Sequence, residues 1–266
     1  MDPQLIFLCI LIGGIHFIST LSYGVRIAGI RTGRLALSLA LFNVLVLFSR
    51  SSNSILAPLL SKRIETGFVL SQIPPAMDFR ILLLSATIAT CFAAFIIPSF
   101  QRLAVVSIGS YERKRSMLSL LTSIFGSTFW NALWRSLSMP RRENLVFFYK
   151  IRGVSIKIFI MNAIGIGLIS TGVFCSLYAG TLEPELRLTA SNLSASVNMC
   201  GTLILFGVVD PYFSFMSDRV SGGEQSESEF RQAVAAMTSS RILGTLLGQV
   251  ILIPGATIIV WIATRI

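Results

Sequence analysis

Apolar residues in this chain recur in runs much longer than one face of a soluble helix requires. Six such runs cover 5–23, 35–48, 81–97, 158–177, 193–209 and 242–262. A helix rises about 1.5 Å per residue, so about 20 mostly apolar residues cross the hydrocarbon core of a bilayer. The second run reaches that length only by continuing through Arg50 and Asn53 to Leu60, which makes it a span with polar groups in its later half. The pattern predicts an all-α integral membrane protein of about six transmembrane helices, at 5–23, 35–60, 81–97, 158–177, 193–209 and 242–262. The first run follows Asp2 with no basic leader or small-residue cleavage site, and is expected to be an uncleaved span.

Between the runs the pattern changes. Within the long connector 101–157, the stretch 117–134 places Leu118, Leu121, Phe125, Phe129 and Leu133 at helical spacing between basic clusters, as in a helix lying in the membrane interface. A seventh span there is the alternative, but an odd count would upset the charge asymmetry described below. Asp210-Pro211, Asp218 and Ser221-Gly-Gly223 predict a break after the fifth span, and Ser226-Glu-Ser-Glu229 reads as a capping box opening a helix toward the sixth. In the sixth, Gly244-Thr-Leu-Leu-Gly248 fits close helix packing and Pro254 fits a kink. There is no internal repeat, so residues 1–266 are expected to form a single polytopic membrane domain.

Composition sharpens this class. The chain is 53% hydrophobic and 13% charged, with mean hydropathy +0.76, whereas about a quarter of residues are charged in soluble proteins. Its net charge of +10 lies beside membrane-length runs, so anionic membrane lipids, and not nucleic acid, are the expected counter-charge. Arg26, Arg31 and Arg34 crowd the first connector and ten lysines and arginines fall between Arg102 and Lys157, which predicts that both connectors are cytoplasmic. The fourth connector, 180–190, carries Glu183 and Glu185 against Arg187 and is expected outside with both chain ends. The second, with Lys62, Arg63 and Arg80, dissents mildly. Cys9, Cys91, Cys175 and Cys200 all sit in apolar runs, and the lone His16 makes no metal site by itself. Neither a metal nor a cofactor is expected. The Asn192-Leu-Ser194 sequon matters only in a host that glycosylates.

The chemistry is expected where polar groups interrupt the spans, because such groups are costly in lipid unless they face a cavity or one another. His16, Thr20 and Tyr23 share one face of the first span, and Asn43, Arg50 and Ser54 share a face of the second, with Asn53 beside it. If these faces adjoin, His16, Tyr23, Asn43 and Asn53 form a polar seam ending at the first connector, Tyr23-Gly-Val-Arg26-Ile-Ala-Gly-Ile-Arg31-Thr-Gly-Arg34. Read as a membrane-edge loop, that connector is suited to an anionic headgroup: arginine presents a planar donor fork and glycine permits close backbone approach. Marking the cytoplasmic side is the plainer role for the same arginines. Arg26, Arg31, Arg34 and Arg50 are the candidate headgroup-binding residues, and Asp210 and Asp218 are candidate counter-charges or proton carriers, with helix-end capping as the alternative.

Arg26-Ile-Ala-Gly-Ile-Arg31-Thr-Gly-Arg34, Ser38-Leu-Ala-Leu-Phe-Asn43, Ser49-Arg-Ser-Ser-Asn53 and Ala57-Pro-Leu-Leu-Ser-Lys62-Arg63 resemble the opening of the alternative lipid II flippases, the Amj family. Asp210-Pro211 and Asp218 are similar to its later landmarks. The resemblance implies a multi-pass protein of the bacterial cytoplasmic membrane. Its substrate would be lipid II, the undecaprenyl-pyrophosphate-linked peptidoglycan precursor, moved from the cytoplasmic to the outer leaflet in cell-wall biogenesis. It brings no assigned working residues, so the candidates above rest on their own chemistry. Two other classes stay open. A membrane scaffold for envelope assembly would use the basic connector to hold proteins and lipid, and a polyprenyl-phosphate enzyme would need converging acids or metal ligands that the spans lack.

Overall fold

The computed structural model describes residues 2–70, 76–114, 131, 134–136 and 153–266, apart from the side chains of residues 53 and 110–114. Six helical segments among them are long and apolar enough to cross a membrane. Most of the stretch read as an interfacial helix, 117–134, lies outside the described residues.

Helix α1 runs Pro3–Thr32, opened by the Asp2 carboxylate accepting from the Gln4 amide at 3.1 Å and closed by Gly33 at φ 66°. The expected loop at 23–34 is therefore wrong in kind: it is the last three turns of α1, and only Gly33 and Arg34 separate it from α2, Leu35–Val69. Gly24 serves packing and not a turn. A Cβ there would stand 3.3 Å from the Phe100 ring and 3.4 Å from the Gln101 amide nitrogen of α3. Helix α3 spans Ala76–Lys114, so the first residues assigned to the long connector extend the third span.

Helix α4 covers Ile156–Leu182, and a short 3₁₀ turn, Pro184–Leu186, leads into α5, Arg187–Ile204. The fifth span, expected to end at Val209 before Asp210-Pro211, runs on past it. A π-helical turn, Leu205–Val209, runs straight into α6, Asp210–Ser221. Proline in the first turn of α6 removes an amide that the widened turn leaves without a regular i→i−4 partner, so the chain continues as one span. The break falls at 222–225, at the expected Ser221-Gly-Gly223, where Gly223 has φ 77°. The capping box is present: Ser226 Oγ accepts from the Glu229 amide at 3.2 Å and Glu229 Oε2 accepts from the Ser226 amide at 3.0 Å. It opens α7, Glu227–Ala263, which carries Pro254 inside and makes the expected approach helix and sixth span continuous.

Successive spans run antiparallel, and ion pairs tie their shared ends. Arg31 at the end of α1 meets Glu227 at the start of α7 at 2.8 Å. At the opposite end Arg63 of α2 binds Asp2 and also Asp78 of α3, the latter at 2.8 Å, which neutralises part of the charge that dissented in the second connector. Helix α4 sits tightly between α5 and α7. A Cβ on Gly244 would come within 2.6 Å of the Ala163 carbonyl oxygen, and one on Gly201 within 2.8 Å of that of Gly165, so small residues set these two crossings.

The core is layered along the membrane normal. Leu5, Leu8, Ile12, Leu56, Leu60, Leu82, Phe174 and Leu252 form an apolar cluster in the half that holds Asp2. Tyr23, Ile27, Phe213, Phe230, Val234 and Met237 form a second toward the Thr32 end. Between them α1, α4 and α7 each present buried polar side chains, and α2 presents Ser49 at the same level.

Candidate functional site

The polar layer encloses a cavity of about 80 Å³. Helix α1 lines it with His16, Ser19, Ser22 and Tyr23, and α2 with Phe42, Val46, Ser49 and Arg50. Asn162 and Ser170 of α4, Leu205, Phe206 and Val209 of the π turn, Asp210 of α6 and Arg241 of α7 complete most of the wall. Many of these groups bond within the wall. Ser49 donates to the Ile15 carbonyl at 3.0 Å, pinning α2 on α1. Asn162 donates to Ser240 Oγ at 3.1 Å, and Ser240 donates to the Phe159 carbonyl, pinning α4 on α7. Three buried polar atoms of the lining lack partners among the described residues: His16 Nδ1, Asn162 Oδ1 and Arg241 Nε. Buried polar atoms are normally satisfied, so their coincidence around one cavity marks a site prepared for water or a polar ligand.

Its electrostatics are one-sided. Arg26 is buried and donates to Asp210 Oδ1 at 2.7 Å, with its guanidinium 4.0 Å from the centre of the Phe42 ring. Arg50 lies 4.4 Å from the centre of the Phe206 ring, a cation–π contact bridging α2 and the π turn. Arg241, buried, donates to Ser19 Oγ beside Tyr23. Three arginines thus stand around one carboxylate, and that carboxylate is already committed to Arg26.

The sequence-predicted residues separate into groups. His16, Tyr23, Arg50 and Asp210 come together at the cavity, and Arg26 reaches it through Asp210. Thr20 is buried and turns back to donate to the His16 carbonyl at 2.6 Å. Asn43 is exposed and absent from the wall. The inward face of α2 is Phe42, Val46 and Ser49, at i, i+4 and i+7, and positions 43 and 50 follow it by about 100°. Arginine is long enough to reach back over Phe206, whereas asparagine is not. Ser54 is also exposed, and the side chain of Asn53 lies outside the described ones. Arg31 pairs with Glu227 at the bundle end, Arg34 is exposed at the start of α2, and Asp218 is exposed near the end of α6. These three do not join the cavity.

Arg241, Asn162 and Ser19 are among the wall residues that sequence reasoning missed. Starting the sixth span at Ile242 leaves Arg241 as an ordinary basic flank. The available signal was the capping box: a helix starting at Glu227 puts Arg241 nearly four turns inside the bundle.

A family model described as Amj, Alternate to MurJ, matches residues 11–263. The chain belongs to the Amj family. A relative from Bacillus subtilis (strain 168), named lipid II flippase Amj, is 32% identical over 266 residues, covering 98% of this chain and 97% of that protein. No solved structure matches the chain. In this Amj family member, the matched region includes every cavity residue named above.

Proposed function

We propose that this protein is a lipid II flippase, carrying undecaprenyl-pyrophosphate-linked peptidoglycan precursor from the cytoplasmic to the outer leaflet of the bacterial cytoplasmic membrane. Family membership and the end-to-end match to a relative of that name support the reading. The observation that carries it is the cavity: a cationic, under-satisfied polar layer between two apolar layers inside a six-span bundle. A diphosphate crossing a bilayer needs its charge neutralised away from water, and Arg50 supplies a cation facing the cavity that no carboxylate fully claims. Arg26 acts by holding α1 to α6 through Asp210. Arg31 and Arg34 act at the surface, attracting the anionic headgroup, while the basic stretch 101–157 holds anionic lipid on the cytoplasmic side.

About 80 Å³ has room for a few waters or one small anionic group, so passage of a disaccharide pentapeptide requires helices to part. The seam between α2 and the π turn, bridged by Arg50 over Phe206, fits that opening. The test is depletion of every other lipid II flippase in a bacterium expressing this chain. Sustained growth with lipid II accessible at the outer surface is expected. Lysis, with lipid II confined to the inner leaflet although the protein is inserted, would reject the reading.

A further inference from the structure

Arg241 is 7% exposed, nearly four turns into the spanning helix α7, and pairs with no carboxylate among the described residues. Its partners among the described residues are neutral hydroxyls, Ser19 and Tyr23, and its buried Nε has no acceptor among them. Asp210, the one acid in the cavity wall, is held by Arg26. A second cation, Arg50, faces the same space and feels Arg241 as a like charge. A buried cation lacking an anion is among the least favourable arrangements an apolar interior can hold, and placing a like charge near it adds to the cost. Fold stability does not account for it: a leucine or methionine there would pack against the same neighbours without the desolvation penalty. The arrangement becomes favourable when an anion enters. Arg241 then offers its free Nε–H, Ser19 and Tyr23 offer hydroxyls, His16 brings an unpartnered ring nitrogen, and Arg50 approaches from the α2 side.

We propose that Arg241 is the inner anchor of a two-point phosphate seat, built with Ser19, Tyr23 and His16, and that Arg50 is the outer anchor. Arg50 leaves the Phe206 ring to meet the diphosphate, so capture of the ligand and release of the bridge between α2 and the π turn are one event. The ligand class is a prenyl diphosphate, an assignment that rests on the lipid II reading for the size of the headgroup but not for the charge.

The experiment uses the full chain in phosphatidylcholine nanodiscs, which contribute no anionic lipid, and measures binding of farnesyl diphosphate, farnesol and inorganic pyrophosphate alongside thermal stability. Farnesyl diphosphate should bind at least tenfold more tightly than farnesol. Arg241→Lys, which keeps the charge and loses the fork, should weaken farnesyl diphosphate about tenfold, Arg241→Met on the order of a hundredfold, and Ser19→Ala about threefold. Ligand-free Arg241→Met should melt at or above the wild-type temperature. Equal binding of the diphosphate and the alcohol by the wild type would overturn the seat. So would Arg241→Lys and Ser19→Ala variants binding like the wild type, and these two variants decide the matter if Arg241→Met does not fold. Binding lost in the variants while the depleted cells still lyse would keep the seat and remove lipid II as its ligand. Undiminished lipid II transport by stable Arg241→Met would keep the transporter and remove the seat.

Discussion

Arg26 and Arg241 are buried almost equally, at 4% and 7% exposure, Arg241 in the cavity wall and Arg26 behind it on Asp210. They differ in company. Arg26 has a carboxylate at 2.7 Å and an aromatic ring beneath its guanidinium, whereas Arg241 has hydroxyls and an unused Nε–H. A paired buried arginine is already complete, and it can be exchanged with its partner for apolar residues at little cost, or broken at great cost. An unpaired one is incomplete until a ligand arrives. Identical residue types thus take opposite roles, brace and receptor, and the carboxylate decides which. On this reading Arg26, expected with Arg31, Arg34 and Arg50 to hold the headgroup together, is proposed as a brace.

The largest expected effect comes from breaking the brace. Asp210→Asn leaves Arg26 buried beside a neutral amide and should destabilise the bundle by about 2–4 kcal/mol, below the full cost of breaking a buried pair because Asp210 keeps some contact with solvent. Replacing both at once, Arg26→Met with Asp210→Leu, should cost much less than either single change, since no uncompensated charge remains. Thermal aggregation midpoints of the three purified variants report this directly. Additive losses would mean that the pair is not a unit and that Arg26 has another partner.

Arg50 stands between the two cases, partly buried and set against a ring instead of a carboxylate. Removing its charge in Arg50→Gln should lower lipid II export about tenfold or more at normal abundance, and Arg50→Lys should fall between, because the point charge survives without the fork. Phe206→Leu removes a cation–π contact on the order of 1 kcal/mol and leaves the cation in place, so export should stay within about threefold. Surface accessibility of lipid II in cells relying on this protein separates the series. Export by Arg50→Gln equal to wild type would restrict the site to Arg241, and a Phe206→Leu variant as impaired as Arg50→Gln would make the ring part of the machinery.

Much of the fold was legible because bilayer thickness is a strict ruler: six apolar runs became six spans. The capping box was equally plain, since two reciprocal bonds demand serine and glutamate at a fixed spacing. What the sequence hid was where helices end. Gly24 looked like loop chemistry, but it admits α3, and Pro211 looked like a stop, but the π turn carries the helix past it. Misjudged helix ends also placed the arginines wrongly: ending α1 at Tyr23 made Arg26 a loop cation, and starting the sixth span at Ile242 hid Arg241. His16, Tyr23, Arg50 and Asp210 were found because an ionisable or polar group within a span is rare. Their partners were not, because which helix faces which depends on tertiary packing that hydropathy does not encode.

At the far end of the bundle Arg63 supplies the weakest member of the comparison, a paired arginine whose partner Asp2 is exposed. The hydrogen bond from Arg63, followed by that from the Gln4 amide, holds the Asp2 carboxyl below its ordinary value of 3.8. The sign follows from linkage. A carboxyl whose folded value lies below its unfolded one contributes stability fully above about 3.8 and loses it as the pH falls through the lowered folded value. Around neutrality, then, this pair gives no pH dependence. Asp2→Asn should leave lipid II export unchanged, shift the thermal midpoint only slightly at pH 7, and converge on the wild type under strong acid, because solvent and salt screen an exposed carboxylate. Asp78, at 2.8 Å and much less exposed than Asp2, keeps Arg63 paired when Asp2 is lost. A fall in export with Asp2→Asn, at unchanged abundance, would show that the ion cluster around Arg63 moves during transport and would promote it from the brace class to the working parts.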